Sequence, residues 1–124
     1  MYLMAVDDER VALERLLVRL EDVHPLAEIK GFLNYVTAFA EIENGFRPKV
    51  AFLDIELGGM NGIVLAQRLQ KAIPDINLIF ISSSKDYPYM SDAFALHASG
   101  YLTKPLCEER LREELKNLRY KPPM

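Results

Sequence analysis

At 124 residues the chain has the length of a single domain, and its formal charge of −3, with a pI of about 5.4, makes it a poor nucleic-acid binder. Half of the residues are hydrophobic and 27 % are charged, the balance of an ordinary globular fold. The single cysteine excludes an internal disulfide, no Cys/His cluster suggests zinc, and neither a signal-peptide pattern nor an apolar run near the roughly 20 residues of a membrane span is present, so a reducing, cytoplasmic setting without membrane contact is expected.

Tyr2 to Val6 reads as a first strand and ends on an acidic pair, Asp7 and Asp8. Leu13, Leu16, Leu17 and Leu20 then recur at helical spacing, with Glu14, Arg15 and Arg19 on the other face. After "VHP", Leu26 to Phe32 reads as a second, less apolar strand. Asn34 is a candidate N-cap for a helix through Val36, Phe39 and Ala40 that stops at Asn44 and Gly45. Val50 to Leu53 is a short run without a polar residue, as in a strand buried on both faces, and it ends on Asp54. "GGMNG" (58–62) follows as a loop, and Ile63 to Ile73 places Leu65, Ala66 and Leu69 on one helical face before Pro74. "NLIFIS" (77–82) is the fourth strand and ends on Ser82. A helix is expected from about Tyr89 to His97. Tyr101 to Thr103 is a short fifth strand with Lys104 at its tip. Leu111, Leu115 and Leu118 then form the apolar stripe of a charged last helix, ended by "KPP" (121–123).

Strict alternation of apolar strand and helix implies a parallel sheet covered on both faces, for which a doubly wound α/β arrangement is the common solution. In such sheets the site lies at the carboxyl ends of the strands. Asp7, Asp8, Asp54, Ser82 and Lys104 would all emerge there, although they are far apart in sequence. Taken singly each has a plain explanation. Asp7, Asp8 and Glu9 suit a helix cap, Asp54 a turn before Gly58 and Gly59, Ser82 a serine-rich loop, and Lys104 a solvated surface. Taken together they suit one piece of chemistry. Converging carboxylates repel and need a counter-charge, and their oxygens suit a hard cation such as Mg²⁺. A lysine and a hydroxyl opposite them would cradle phosphoryl oxygens, and an aspartate can carry a phosphoryl group as an acyl phosphate.

With "VDDE" after the first strand, "FLDIELGGMNG" after the third, "FIS" at the fourth and "YLTKP" at the fifth, the chain resembles the receiver domain of bacterial response regulators from Tyr2 to about Leu118. The resemblance implies a flavodoxin-like (CheY-like) doubly wound sheet of five parallel strands in the order 2-1-3-4-5, with helices on both faces. It implies that Asp54 accepts a phosphoryl group from a sensor histidine kinase in a Mg²⁺-dependent reaction. Asp8 would bind the metal directly, Asp7 through water, and Glu56 through its backbone carbonyl, with Asp54 completing the set. Ser82 would meet the phosphate, Lys104 would pair with it, and the Lys104–Pro105 bond would be cis. Tyr101 matches the aromatic position whose rotamer changes on activation.

The surface of the fourth helix, fifth strand and fifth helix would then rearrange to form a homodimer or to control an output, with transcriptional regulation expected. Residues 1–119 are read as the receiver, and 120–124 either as the start of a linker to an effector domain outside this chain or as the C-terminal tail of a stand-alone receiver. "DYPYM" (86–90) is similar to receivers joined to LytTR-type DNA-binding domains. Serine stands at position 82 where threonine is more frequent, and "GGMNG" where many receivers read proline-glycine-methionine-aspartate-glycine.

Such a domain modifies itself and is not a turnover enzyme. Two other classes compete with this reading. A haloacid dehalogenase-type phosphatase also uses a strand-tip aspartate, but it wants a second aspartate where Glu56 stands. A docking module that is never phosphorylated has no need of all five site residues. His24 and His97 read as structural, and Cys107 as a small packed residue opening the last helix.

Overall fold

A computed structural model describes residues 1–57, 60–83 and 96–120. In chain order they form β1 (Tyr2–Val6), α1 (Arg10–Val23), β2 (Glu28–Phe32), α2 (Tyr35–Glu43), β3 (Val50–Asp54), β4 (Glu56–Leu57), β5 (Met60–Asn61), α3 (Gly62–Ala72), β6 (Asn77–Ser82), β7 (Gly100–Thr103) and a C-terminal helix (Glu108–Lys116). Five of the strands pair in parallel in the order β2-β1-β3-β6-β7, which is the expected 2-1-3-4-5 order of a doubly wound sheet.

β3 lies in the middle of this sheet, and every residue of β3 and β6 is buried. The pleat sends alternate side chains to opposite faces. Ala51 and Leu53 thus join Val6, Ile42, Leu65 and Phe80 in a core with α2 and α3, while Val50 and Phe52 join Leu3, Leu20, Ile81 and Leu111 in a core with α1 and the C-terminal helix. Phe52 and Phe80, both fully buried, each contribute about 1.5–3 kcal/mol by leaving water. A sheet packed this way on both sides is a stiff mount for whatever its strand ends carry.

The local signals explain the helix ends. The Asn34 side chain accepts the Thr37 N–H at 2.9 Å and caps α2, a contact worth about 1 kcal/mol. Gly45, with φ of 103°, follows the Asn44 C-cap in the left-handed region that glycine adopts without strain.

Several expectations need correction. β2 starts at Glu28 rather than Leu26, and Leu26 is 90 % exposed. In α2 the buried positions are Ala38 and Ile42, whereas Val36 and Ala40 are exposed. "GGMNG" is not all loop: Met60 and Asn61 pair antiparallel with Leu57 and Glu56, and Gly62 is already in α3. The last helix ends at Lys116 with Asn117 as its C-cap, so Leu118 is buried from beyond the helix. Cys107 is that helix's N-cap and is exposed, not packed. The expected helix at Tyr89 to His97 lies outside the described residues except for Leu96 and His97, which form a turn with His97 at φ 56°. "DYPYM" and "KPP" also lie outside them. Among the described residues, no helix is long and apolar enough to cross a membrane.

The Glu114 carboxylate lies against Gly100 at the start of β7. Burial pushes its pKa up, Arg110 opposes this, and Glu113 adds to it. The folded chain therefore holds this proton more tightly than the unfolded one, and stability falls as pH rises through that window. Glu114→Gln is expected to raise the urea midpoint at pH 7, with the advantage shrinking as pH falls towards 4.5, the ordinary value for the group, and lost below it. An equal advantage at all pH values would show that charge on Glu114 is not the cause.

Candidate functional site

The carboxyl ends of β1, β3, β6 and β7 reach one edge of the sheet. Backbone pairing continues just past the strands there. The Asp7 N–H donates to the Phe32 carbonyl at 3.1 Å, Ile55 N–H to Ile81 at 3.0 Å, and Lys104 N–H to Ser82 at 2.8 Å. Asp7, Asp54, Ser82 and Lys104 therefore stand on backbone fixed by the sheet rather than on free loops.

Lys104 ties the edge together. Its Nζ lies 3.0 Å from Asp7 Oδ2 and 3.0 Å from Asp54 Oδ2. Both carboxylates are buried, so their loss of water must be offset by such bonds. The other Asp7 oxygen, Oδ1, accepts the Glu9 N–H at 3.0 Å. Asp7 thus also serves the start of α1, whose N-cap, Glu9, makes no side-chain capping bond itself. Burial alone would lower the Lys104 pKa, but the hydrogen bonds it donates to Asp54 and Asp7, with their negative charge, outweigh it and hold the ammonium above its ordinary value.

Asp8 is exposed, yet it belongs to the same cluster. One carboxylate oxygen from each of Asp7, Asp8 and Asp54 lies within 4.8 Å of the other two. Three carboxylates grouped this closely repel one another, and a divalent cation would relieve that repulsion. The donors are all oxygen, and Asp8 lies on the solvent side where a cation would keep water ligands. This set fits Mg²⁺, which prefers one or two protein carboxylates and retains waters. Asp7, Asp8 and Asp54 could hold such an ion, and Glu56, two residues after Asp54, pairs through its backbone with Asn61.

The remaining candidates sit nearby. Ser82, at the end of β6, is buried. Tyr101 faces Phe80 in the β6–β7 register and packs, partly buried, against the α2/α3 core. The Lys104–Pro105 bond is cis. His24 caps the end of α1 and His97 precedes β7, so neither reaches this edge.

Two features were not anticipated from the residues. Arg15 and Arg19, expected on the outer face of the first helix, line a groove that reaches Lys104 and Pro105. Gly62 is the other. Its N–H donates to the Ile55 carbonyl at 2.7 Å, and a Cβ there would press on the Asp54 carbonyl oxygen and stand 3.0 Å from Ile55 Cα. Only glycine lets α3 start this close behind Asp54. "NG" before an apolar periodic run was a visible signal for a turn into a helix, but not for which backbone it would touch.

Comparison with known proteins agrees with this geometry. The family model "Response regulator receiver domain" matches residues 3–116. The chain is 34 % identical over 113 residues to "Sensory transduction protein LytT" of Bacillus subtilis, covering 91 % of this chain and 46 % of that protein. It is 31 % identical over 116 residues to "Transcriptional regulatory protein BtsR" of Escherichia coli K12, covering 94 % and 47 %. A response regulator receiver domain protein (CheY-like) from Methanospirillum hungatei superposes with a TM-score of 0.82 at 25 % identity, covering 93 % of this chain and 90 % of that one. The chain spans about half the length of the curated relatives it matches.

Because the atoms that crowd Gly62 are backbone and cannot rotate away, Gly62→Ala is expected to lower unfolding free energy by about 1–3 kcal/mol. Val64→Ala, at a position 39 % exposed in the same helix, should change it by no more than about 0.5 kcal/mol. Urea denaturation of both variants is the check, and equal losses would remove the close approach as the cause.

Proposed function

The chain belongs to the response regulator receiver domain family, and from that premise we propose that it is a phosphorylation-operated switch whose acceptor is Asp54. The observation that carries this reading is the Lys104 ammonium held at 3.0 Å from both Asp54 and Asp7, beside a third carboxylate, at the end of a buried strand. A sensor histidine kinase is the donor. An Asp54 carboxylate oxygen attacks the phosphorus of a phosphohistidine. A P–O bond forms, the P–N bond breaks, and the released imidazole nitrogen takes up a proton. The chain's part is positioning and charge compensation, since the β3 mount presents Asp54 and Lys104 faces the oxygens of the transferred group. A Mg²⁺ ion held by Asp7, Asp8, Asp54 and the Glu56 backbone carbonyl would supply the remaining charge neutralisation.

Once Asp54 carries the phosphoryl group as an acyl phosphate, its oxygens no longer offer Lys104 the same partner. Lys104 and the Ser82 hydroxyl turn to the phosphoryl oxygens, and Tyr101, paired with Phe80 one strand over, changes rotamer. The face around β7 and the C-terminal helix, with the preceding segment, then presents a changed surface for a homodimer or an output partner. The curated relatives are named as sensory transduction and transcriptional regulatory proteins and are about twice as long. We infer a cytoplasmic receiver of residues 1–119, with 120–124 leading to an effector domain that carries any DNA binding. Its chemistry is one self-modification and its reversal rather than turnover of a substrate.

Incubation with Mg²⁺ and a small acyl-phosphate donor, followed by intact-mass measurement, tests the reading. Wild type should gain one phosphoryl group, Asp54→Ala none, and wild type with excess chelator none. Hydrogen exchange around Tyr101 should change on phosphorylation. Equal uptake by Asp54→Ala overturns the acceptor assignment, no uptake by wild type favours a docking module, and uptake without any change near Tyr101 overturns the switch.

A further inference from the structure

A second polar cluster lies at the opposite pole of the sheet. Asn77 opens β6, the most apolar strand, and is 1 % exposed. A buried carboxamide is costly unless both of its ends are bonded, and here both are. Asn77 Nδ2 donates to the Lys49 carbonyl at 3.0 Å and to the Tyr120 carbonyl at 2.7 Å. Its Oδ1 accepts the Ser99 hydroxyl at 2.8 Å and the Tyr120 N–H at 2.7 Å. Ser99 Oγ in turn accepts the Arg119 N–H at 3.1 Å.

Three of these bonds end on the backbone of Arg119 and Tyr120. Those residues follow the C-terminal helix and belong to no helix or strand, so no ladder of their own holds them. The carboxamide faces Tyr120 as a neighbouring peptide group would, accepting its N–H and donating to its C=O. This double bond fixes rotation as well as position. Leu118, 6 % exposed, seats the same segment in the core.

We propose that Asn77 and Ser99 form a latch that binds the backbone of Arg119 and Tyr120 and sets where the polypeptide leaves the domain. The exit is thereby placed at the pole opposite Asp54. β6 carries Asn77 at one end and Ser82 at the other, about 17 Å apart at the rise of an extended strand. β7 is flanked in the same way by Ser99 and Lys104. Whatever follows Tyr120 is tied to the two strands that hold the site's hydroxyl and lysine, not to the C-terminal helix alone. The latch reads backbone atoms, so the Tyr120 side chain is not part of it. It stands whether or not Asp54 is phosphorylated.

Amide hydrogen exchange of the 124-residue chain, read residue by residue by NMR, tests this. In wild type the Arg119 and Tyr120 amides should be protected. Ser99→Ala should speed Arg119 exchange about tenfold, the loss expected for one such hydrogen bond, while core amides such as Leu53 and Ile79 stay unchanged. Asn77→Asp keeps an acceptor but sets a carboxylate against the Lys49 and Tyr120 carbonyls, and should release both amides. Tyr120→Ala should keep its protection. Open-chain exchange of the two amides in wild type overturns the latch, as does full protection in Ser99→Ala or lost protection in Tyr120→Ala. If Asn77→Asp fails to fold, the Ser99→Ala and Tyr120→Ala results decide the matter.

Discussion

The contact on which the site depends is the ammonium of Lys104, 3.0 Å from each of two buried carboxylates. Asp7 and Asp54 come from adjacent strands, β1 and β3, and would repel each other across the edge of the sheet. Lys104 arrives from beyond β7, two strands further on, and bridges both. An isolated pair of buried carboxylates would be strongly unfavourable, whereas a charge-assisted bridge compensates their charge and fixes their direction. A cluster of three carboxylate oxygens suits a cation and whatever anion the cation brings.

The rest of the molecule can be understood as support for that edge. β3 and β6 are buried throughout, with alternate residues filling two separate cores, so the Asp54 backbone has little freedom. Gly62 lets α3 start against the back of the Asp54 peptide, and the short β4–β5 hairpin lies between them in the chain. At the other pole Asn77 makes four side-chain bonds, two of them to Tyr120. The sheet thus has a polar cluster at each end, one of charged groups and one of neutral amide, hydroxyl and backbone.

Legibility in the sequence followed burial. The strands Tyr2–Val6 and Asn77–Ser82 could be read to the residue, and Val50–Leu53 to within one, because strands covered on both faces are short apolar runs with polar ends. β2 lies at the edge of the sheet, is mostly exposed, and was misjudged at its start. In α2 the Asn34 cap was evident from its type and place, but the buried face was not. Val36 is 60 % exposed while the small Ala38 is buried, and hydrophobicity alone does not say which apolar residue faces inward. Cys107 failed for a similar reason, as its position at a helix N-cap faces solvent.

The residues by themselves determined the alternation of strand and helix, and with it which side chains stand at strand tips. Periodicity is local, and the carboxyl edge of a parallel sheet follows from it. Asp7, Asp8, Asp54, Ser82 and Lys104 could therefore be named without coordinates. Only the tertiary structure decided which of them touch, since hydrogen bonds between residues 50 and 97 positions apart depend on strand order and register. It also decided the roles of Gly62 and Asn77. One is defined by the space a missing Cβ leaves and the other by backbone atoms that lie close only once the chain has folded.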